Sequence, residues 1–211
     1  MSDVGFLVAV VVSIFALVDP FGTLPFFVAL TDGFDETDRH HVAARASIVL
    51  GGILGGFALV GRFLFEAFGF TLAAFEIAGG LLLFFVAFQM LQGEVTRARI
   101  TDQERTDALA RRDEIAVVPL GIPLLAGPGA ISTVMIYEGS AAGDPISIAA
   151  TFVAIAATTA SAWVILRYGP SILRRMGRPA IMALTRVMGL LLAAVGVQFV
   201  LNGLLASFPG L

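Results

Sequence analysis

Long apolar runs follow one another along the chain, separated by short polar stretches. Six runs reach the roughly 20 residues that a helix needs to cross a bilayer: Val4–Leu30, Val42–Phe65, Phe70–Leu91, Ile115–Tyr137, Ile146–Tyr168 and Ile181–Ala206. An acidic loop, Asp32–Asp38, follows the first run. A longer charged stretch, Glu94–Glu114, follows the third and holds five Arg and six acidic residues. The pattern predicts an all-α membrane protein of six transmembrane helices. It divides into a first three-helix unit (1–93), a charged cytoplasmic loop (94–114) and a second three-helix unit (115–211).

Composition agrees with the pattern. Hydrophobic residues make up 58% and charged residues 14% of 211 positions, against about 45–50% and 25% in an average soluble domain. Ser2 and Asp3 precede the first run in place of a basic segment, and no small-residue cleavage site interrupts it. It reads as a retained span and not as a signal peptide. The absence of cysteine excludes disulfides, thiolate metal sites and cysteine nucleophiles. A net charge of −3 shows no nucleic-acid footprint.

All 13 basic residues are Arg, and their placement sets an orientation. With six spans, the first, third and fifth connections share one side. Those connections and their flanks hold twelve Arg, and the other side holds only Arg62. Positive charge is retained in the cytoplasm. Both termini are therefore expected outside, with the 94–114 loop cytoplasmic, in a multi-pass protein of the cytoplasmic (inner) membrane.

The chain also repeats itself. Gly80-Leu-Leu-Leu-x-x-Val86-x-x-Gln89 recurs as Gly189-Leu-Leu-Leu-x-x-Val195-x-x-Gln198, and Asp19-Pro20 recurs as Gly127-Pro128 at nearly the same offset. Each half has three spans, an odd number, so the second half enters the membrane from the opposite side. The expectation is a 3+3 inverted-topology repeat with broken helices one and four, an architecture that many secondary transporters use.

The candidate chemistry lies at the two breaks. Span one carries Asp19-Pro20-Phe21-Gly22-Thr23-Leu24-Pro25, with Asp19 about 22 Å from Val4 along a helix axis and so well inside the bilayer. Pro20 and Pro25 each lack an amide donor and crowd the preceding turn, and Gly22 removes a steric limit. Unpaired amides and carbonyls are expected there, inside protein or facing water. Span four carries three prolines and three glycines within Pro119–Gly129. Pro128 can open a second half-helix with Ser132 and Thr133 in its first turns. Amides at such a start can hold a carboxylate, and Asp19 could hold an ammonium group. If the breaks meet at mid-membrane, they make a site for a zwitterion. Two plainer readings stand beside this. Prolines in membrane helices are often kinks that neighbouring helices repair, and Asp19 can serve as a local helix cap.

Other polar residues read as structural. Glu76 and Arg186 lie in spans three and six toward opposite faces and read as interface anchors. Gln89 and Gln198 suit helix–helix hydrogen bonds, and Thr158, Thr159 and Ser161 suit packing. Gly51-Gly52 and Gly55-Gly56 suit close helix approach, within the bundle or between copies in a homo-oligomer. His40 and His41 sit in a charged loop with too few converging ligands for a metal. No cofactor site is apparent, and no Ser/His or Asp/Asp pair at one depth suggests an intramembrane enzyme.

Pro119-Leu-x-x-Pro123-Leu-Leu-Ala126-Gly127-Pro128-Gly129 resembles the signature segment of the MarC family. So do Ile77-Ala78-Gly79-Gly80, and Met188-Gly189-Leu190 through Val197-Gln198-Phe199 to Asn202-Gly203. The resemblance covers essentially the whole chain. It implies a bacterial or archaeal inner-membrane protein of six spans, in a family that includes transporters of small neutral amino acids of alanine and glycine size. Two positions depart from that pattern. Asp19 stands where Asn is common, and Glu76 where Arg is common. The resulting expectation is a secondary transporter coupled to a proton or another cation. Asp19, Pro20, Gly22, Thr23 and Pro25 form one half-site, and Gly127, Pro128, Gly129, Ser132 and Thr133 the other. The alternative is a membrane scaffold or regulatory protein that uses the same breaks for packing.

Overall fold

The computed structural model describes residues 3–69, 71–92, 112–140, 144–173 and 178–207. These residues are helical apart from short turns, and they contain no strand. In chain order the helices are α1 (Asp3–Val18), α2 (Pro20–Leu30), α3 (Glu36–Phe68), α4 (Leu72–Gln92), an irregular wide-turned segment Ala116–Leu125, α5 (Pro128–Ser140), α6 (Pro145–Leu173) and α7 (Arg178–Ser207). Apart from Arg112–Glu114, the expected 94–114 loop lies outside the described residues.

Four helical stretches are long and apolar enough to cross a membrane: Gly5–Leu30, Glu36–Phe68, Pro145–Ser171 and Gly189–Ser207. A fifth is the bent pair Arg112–Leu125 and Pro128–Gly139, whose axes differ by 61°. The third expected run forms α4, of which the described apolar part is Leu72–Phe88. The chain is thus an all-helical protein with four to five span-capable helices among the described residues, where the hydropathy pattern predicts six.

Chain ends of the helices are closed by local chemistry. Asp35 precedes α3 and accepts a hydrogen bond from the Asp38 amide at 2.7 Å. Gly69 ends α3 at φ 69°, a conformation that costs a glycine little. Asp144 accepts from the Ser147 amide at 3.0 Å and hydroxyl at 2.7 Å at the start of α6. Those bonds hold its carboxyl below the usual carboxylate range.

Within lipid, helices associate through close packing and not by expelling water. The buried core draws Val10 and Ile14 from α1, Phe27 from α2, Leu50 and Leu54 from α3, Leu120 from the irregular segment and Leu166 from α6. Large apolar side chains such as Val12, Phe63, Phe85 and Leu190 point outward, as a lipid-facing surface requires. Helix α6 packs on α1, α2 and α3, and α3 also touches the irregular segment and α5. The most extensive contact joins α4 to α7. The two run antiparallel: Gly80 meets Gly196, and Gly203 meets the Ala73 carbonyl near the start of α4. A β-carbon at Gly80 would stand 2.5 Å from the Gly196 carbonyl oxygen, so these backbones approach as closely as glycine permits.

The expected use of the span-two glycines holds at one position. Gly51 lies against Thr159 of α6, where a β-carbon would come within 3.1 Å of the hydroxyl oxygen. Gly52, Gly55 and Gly56 face open space within the chain. At one end of the bundle, Arg112 pairs with Asp38, and Asp113 pairs with His41 at 3.0 Å and Arg45 at 3.7 Å. These contacts bring the start of α3 to the residues that lead into the second half of the chain.

The glycine geometry gives an expected contrast. Gly80→Ala forces a methyl group into the α7 backbone and should destabilise the protein by about 1–3 kcal/mol. Gly52→Ala meets no atom and removes backbone freedom, so it should be neutral or stabilising by up to about 1 kcal/mol. Thermal unfolding of the two variants in detergent checks both signs.

Candidate functional site

The first break occupies a single residue. Asp19 adopts φ 40° and ψ 65° between α1 and α2, and is the one non-glycine residue at positive φ among the described residues. Asp and Asn tolerate this left-handed region better than most residues. The sequence predicts unpaired backbone groups here, and the structure pairs several of them. The Asp19 amide donates to the Phe15 carbonyl at 3.0 Å, and the Thr23 amide donates to the Asp19 carbonyl at 3.0 Å. The Gly22 amide donates to Asp19 Oδ1 at 3.0 Å. Asp19 is therefore the N-cap of α2, with Pro20 at the first helical position, where its missing amide does no harm. The Thr23 hydroxyl also donates to the Asp19 carbonyl, at 3.1 Å. A β-carbon at Gly22 would overlap Asp19 Oδ2, so the carboxylate can fold back only over a glycine. Pro20, Thr23 and Pro25 are buried, whereas Asp19 is exposed.

The second break is deeper. Val118 and Ile122 hold extended φ/ψ values within the Ala116–Leu125 segment, each before a cis proline. The chain then closes a wide turn, with the Ala126 amide donating to the Gly121 carbonyl at 2.9 Å, and restarts as α5 at Pro128. Gly127, Pro128, Gly129 and Ser132 are buried and Thr133 is half-buried. Pro128 has no amide, and the next amides of α5 are those that a helix start leaves without intrahelical acceptors. The Ser132 hydroxyl donates to the Pro128 carbonyl at 2.7 Å.

The fold sets the two breaks side by side. A β-carbon at Gly129 would stand 3.5 Å from Leu17 Cδ2, two residues before Asp19, and 2.8 Å from Phe199 Cζ of α7. Helix α4 closes the same junction. A β-carbon at Gly79 would overlap Pro128 Cγ, so α4 lies directly on the start of α5. Glu76 lies one turn before Gly79 on α4, and Ser132 one turn after Pro128 on α5. The sequence reading makes Glu76 an interface anchor. The structure puts it one turn from the Gly79–Pro128 contact, because Gly79 and Gly80 let α4 approach both α5 and α7. The signal available in the sequence was the spacing from Glu76 to Gly79, one helical turn.

Other expected partners separate. Gln198 donates to Asn202 on its own helix at 2.7 Å. The Gln89 side chain lies outside the described residues. Among the described residues, no three His, Asp or Glu side chains gather as a metal-binding group. A groove of about 560 Å³ opens elsewhere, between α3 and α6, and Ser47, Gly51, Gly55, Thr159 and Trp163 contribute to its lining.

Comparison with known proteins places this geometry in a family. Residues 4–208 match the profile of the MarC family integral membrane proteins. A UPF0056 membrane protein of Pyrococcus abyssi is 40% identical over 93% of each chain. One from Methanocaldococcus jannaschii is 38% identical over 96% of this chain and 97% of its own. The UPF0056 membrane protein YhcE of Escherichia coli is 34% identical over 95% of this chain and 92% of its own. No solved structure matches the chain. The chain belongs to the MarC family and is an integral, multi-pass membrane protein.

The cap at Asp19 separates charge from hydrogen bonding. Asp19→Asn keeps an acceptor for the Gly22 amide and should retain the wild-type melting temperature to within a few degrees. Asp19→Ala removes the acceptor and should cost about 0.5–2 kcal/mol. Gly22→Ala displaces the carboxylate and should match or exceed the loss in Asp19→Ala. Unfolding of the three variants in one detergent gives the order, and an Asn variant as unstable as the Ala variant would show that the cap is not what Asp19 supplies.

Proposed function

Starting from that membership, we propose that this protein is a secondary transporter. It moves small neutral amino acids of alanine and glycine size across the cytoplasmic membrane, driven by a proton or other cation gradient. The observation that carries the reading is the approach of the two breaks, with the exposed Leu17, two residues before Asp19, beside the buried Gly129. Irregular backbone at membrane depth is tolerated where protein buries it or where it lines a cavity, and paired interrupted helices mark the substrate site of many transporters.

The proposed topology has six spans, counting α4 as the third and the bent 112–125/α5 pair as the fourth. The order of elements supports a 3+3 inverted repeat. Each half runs through an interrupted span, then a long helix (α3 or α6), then a Gly-Leu-Leu-Leu helix (α4 or α7). The antiparallel contact of α4 with α7 is what a two-fold axis in the membrane plane requires of equivalent helices. The ion pairs joining Asp38, His41 and Arg45 to Arg112 and Asp113 support putting the first and third connections on one side. Arg distribution makes that side cytoplasmic.

In this reading the start of α5 receives the substrate carboxylate, through amides next to Gly129. Asp19, Gly22 and Thr23 form the opposing wall, with Ser132 and Thr133 adding hydroxyls. A second reading, a membrane scaffold without transport, draws on one specific feature. Asp19, Thr23 and Ser132 all bond within their own helical turns, as packing residues do.

Flux separates the two. Purified protein in proteoliposomes should accumulate labelled alanine and glycine when a proton gradient is imposed. Gly129→Val, which fills the junction between Leu17 and Phe199, should lower that flux by about tenfold or more. Absence of flux for every small neutral amino acid, from folded protein in either orientation, would leave the scaffold reading in its place.

A further inference from the structure

We propose that the groove between α3 and α6 holds an acyl chain of an anionic phospholipid, and that Arg167 binds the phosphate at the groove's mouth. The inference lies outside the transporter reading and requires only that the protein sits in a bilayer.

The groove has a volume of about 560 Å³. Ala44, Gly51 and Gly55 of α3 line it opposite Ala156 and Ala160 of α6. A β-carbon at Gly55 would meet no atom within 4 Å. The hydroxyls in the lining are withdrawn from it. Ser47 donates to the Ala43 carbonyl at 2.8 Å, and the Thr159 oxygen is buried against Gly51. The walls are therefore apolar in effect. From Ala44 to Gly55 is about 16 Å along a helix axis, and the hydrocarbon of one leaflet is about 15 Å deep, half of the bilayer core. The groove thus has the depth of one acyl chain.

One end of the groove carries a charge. Trp163 lines it and is 36% exposed. The Arg167 guanidinium carbon lies 5.4 Å from the Trp163 ring centroid and 5.6 Å from that of Tyr168. Tryptophan and tyrosine collect at headgroup level, so the rings set Arg167 at the depth of a lipid phosphate. Gly169 packs on Leu24 of α2. Helix α6 therefore ends on the side where α2 ends and α3 starts, and Trp163 and Ala44 mark the same end of the groove. In the proposed topology this end faces the cytoplasm, where the leaflet carries anionic lipid. Among the described residues no carboxylate pairs with Arg167: at this end Asp38 pairs with Arg112, and Asp113 with His41 and Arg45. The Arg167 Nε hydrogen is buried without an acceptor. The rings attract the cation, but they offer it no oxygen. A phosphate does, and the guanidinium fork suits two parallel bonds to it.

Charge also selects among occupants. A two-fold pair of copies inserted in the same direction brings identical patches together at one depth. The two Arg167 side chains would then face each other with no acid between them, and like charges across an interface oppose association. A zwitterionic headgroup carries its own cation to Arg167. An anionic phospholipid brings an apolar chain to the groove and a net negative charge to its mouth.

Trp163 is the only tryptophan of the chain, so its fluorescence reports on the groove. Full-length protein is reconstituted in phosphatidylcholine vesicles that contain rising fractions of brominated phosphatidylglycerol or brominated phosphatidylcholine. Bromine quenches tryptophan on contact. The phosphatidylglycerol should reach half-maximal quenching at about a fivefold lower fraction, the effect of one basic residue at an anionic surface. Arg167→Gln should bring the two lipids to within about twofold of each other. Gly55→Leu leaves Arg167 in place but fills the open end of the groove, and should remove the preference equally. Equal quenching by both lipids in the wild type overturns the proposal. A preference that survives Gly55→Leu overturns it as well, because the lipid would then be held at the surface without entering the groove. A preference that survives Arg167→Gln removes Arg167 from the site. Trp163 shielded from both lipids, in a cross-linked dimer that Gly55→Leu dissociates, puts a second copy in the groove instead. If Arg167→Gln fails to fold, the wild-type comparison and Gly55→Leu decide.

Discussion

In a bilayer, every backbone amide and carbonyl has to find its partner inside the protein. That constraint governs how this chain handles its prolines. A regular helix satisfies it automatically, and a proline breaks it by removing one donor and displacing one acceptor. The chain meets the problem twice and solves it in two ways. At the first break the solution is local: Asp19 turns to positive φ, and its carboxylate supplies the Gly22 amide with an acceptor that no carbonyl provides. The helix resumes after one residue, and Gly5–Leu30 still has the length of a single span. At the second break several residues leave helical geometry, the axis bends by 61°, and the restart at Pro128 is sealed by other helices.

The sealing depends on glycine. Gly79 receives Pro128, Gly80 receives the backbone of α7, and Gly196 returns the contact. Because lipid gives apolar side chains no incentive to meet each other, such close approaches are where helix association gains most from dispersion and weak polar contacts. Helix α4 is thereby held on two sides by adjacent residues of one motif. A substitution at either glycine reaches the break through the packing of α4.

Much of this was legible in the sequence. Run lengths gave the helices, the Asp-Pro and Gly-Pro pairs gave the breaks, and the local cap at Asp19 was one of two readings that the residues allowed. What the residues did not give follows from the limits of linear reading. Hydropathy reports apolar length and cannot say how the axis bends, as it does by 61° between Arg112–Leu125 and Pro128–Gly139. Proline signals a fault but not its repair, so the residues alone left a free amide and a local cap at Asp19 both open, and the Gly22 amide decides for the cap. Glu76 was assigned by depth along its own helix, whereas its place one turn from the second break is fixed by the Gly79–Pro128 contact between two helices.

That contact changes how Asp19 and Glu76 compare. From sequence, Asp19 is the conspicuous one, because it sits deep and beside a proline. In the structure it is the committed one, since its oxygen completes a helix start and any change of partner would reopen the break. A group that takes part in a cycle needs the opposite property, a partner that can be exchanged without leaving a buried polar group unsatisfied. Ser132 is committed too, its hydroxyl bonded to the Pro128 carbonyl at 2.7 Å within its own helical turn. The conspicuous carboxylate therefore holds the scaffold, and the less conspicuous one sits one turn from the contact that seals the second break.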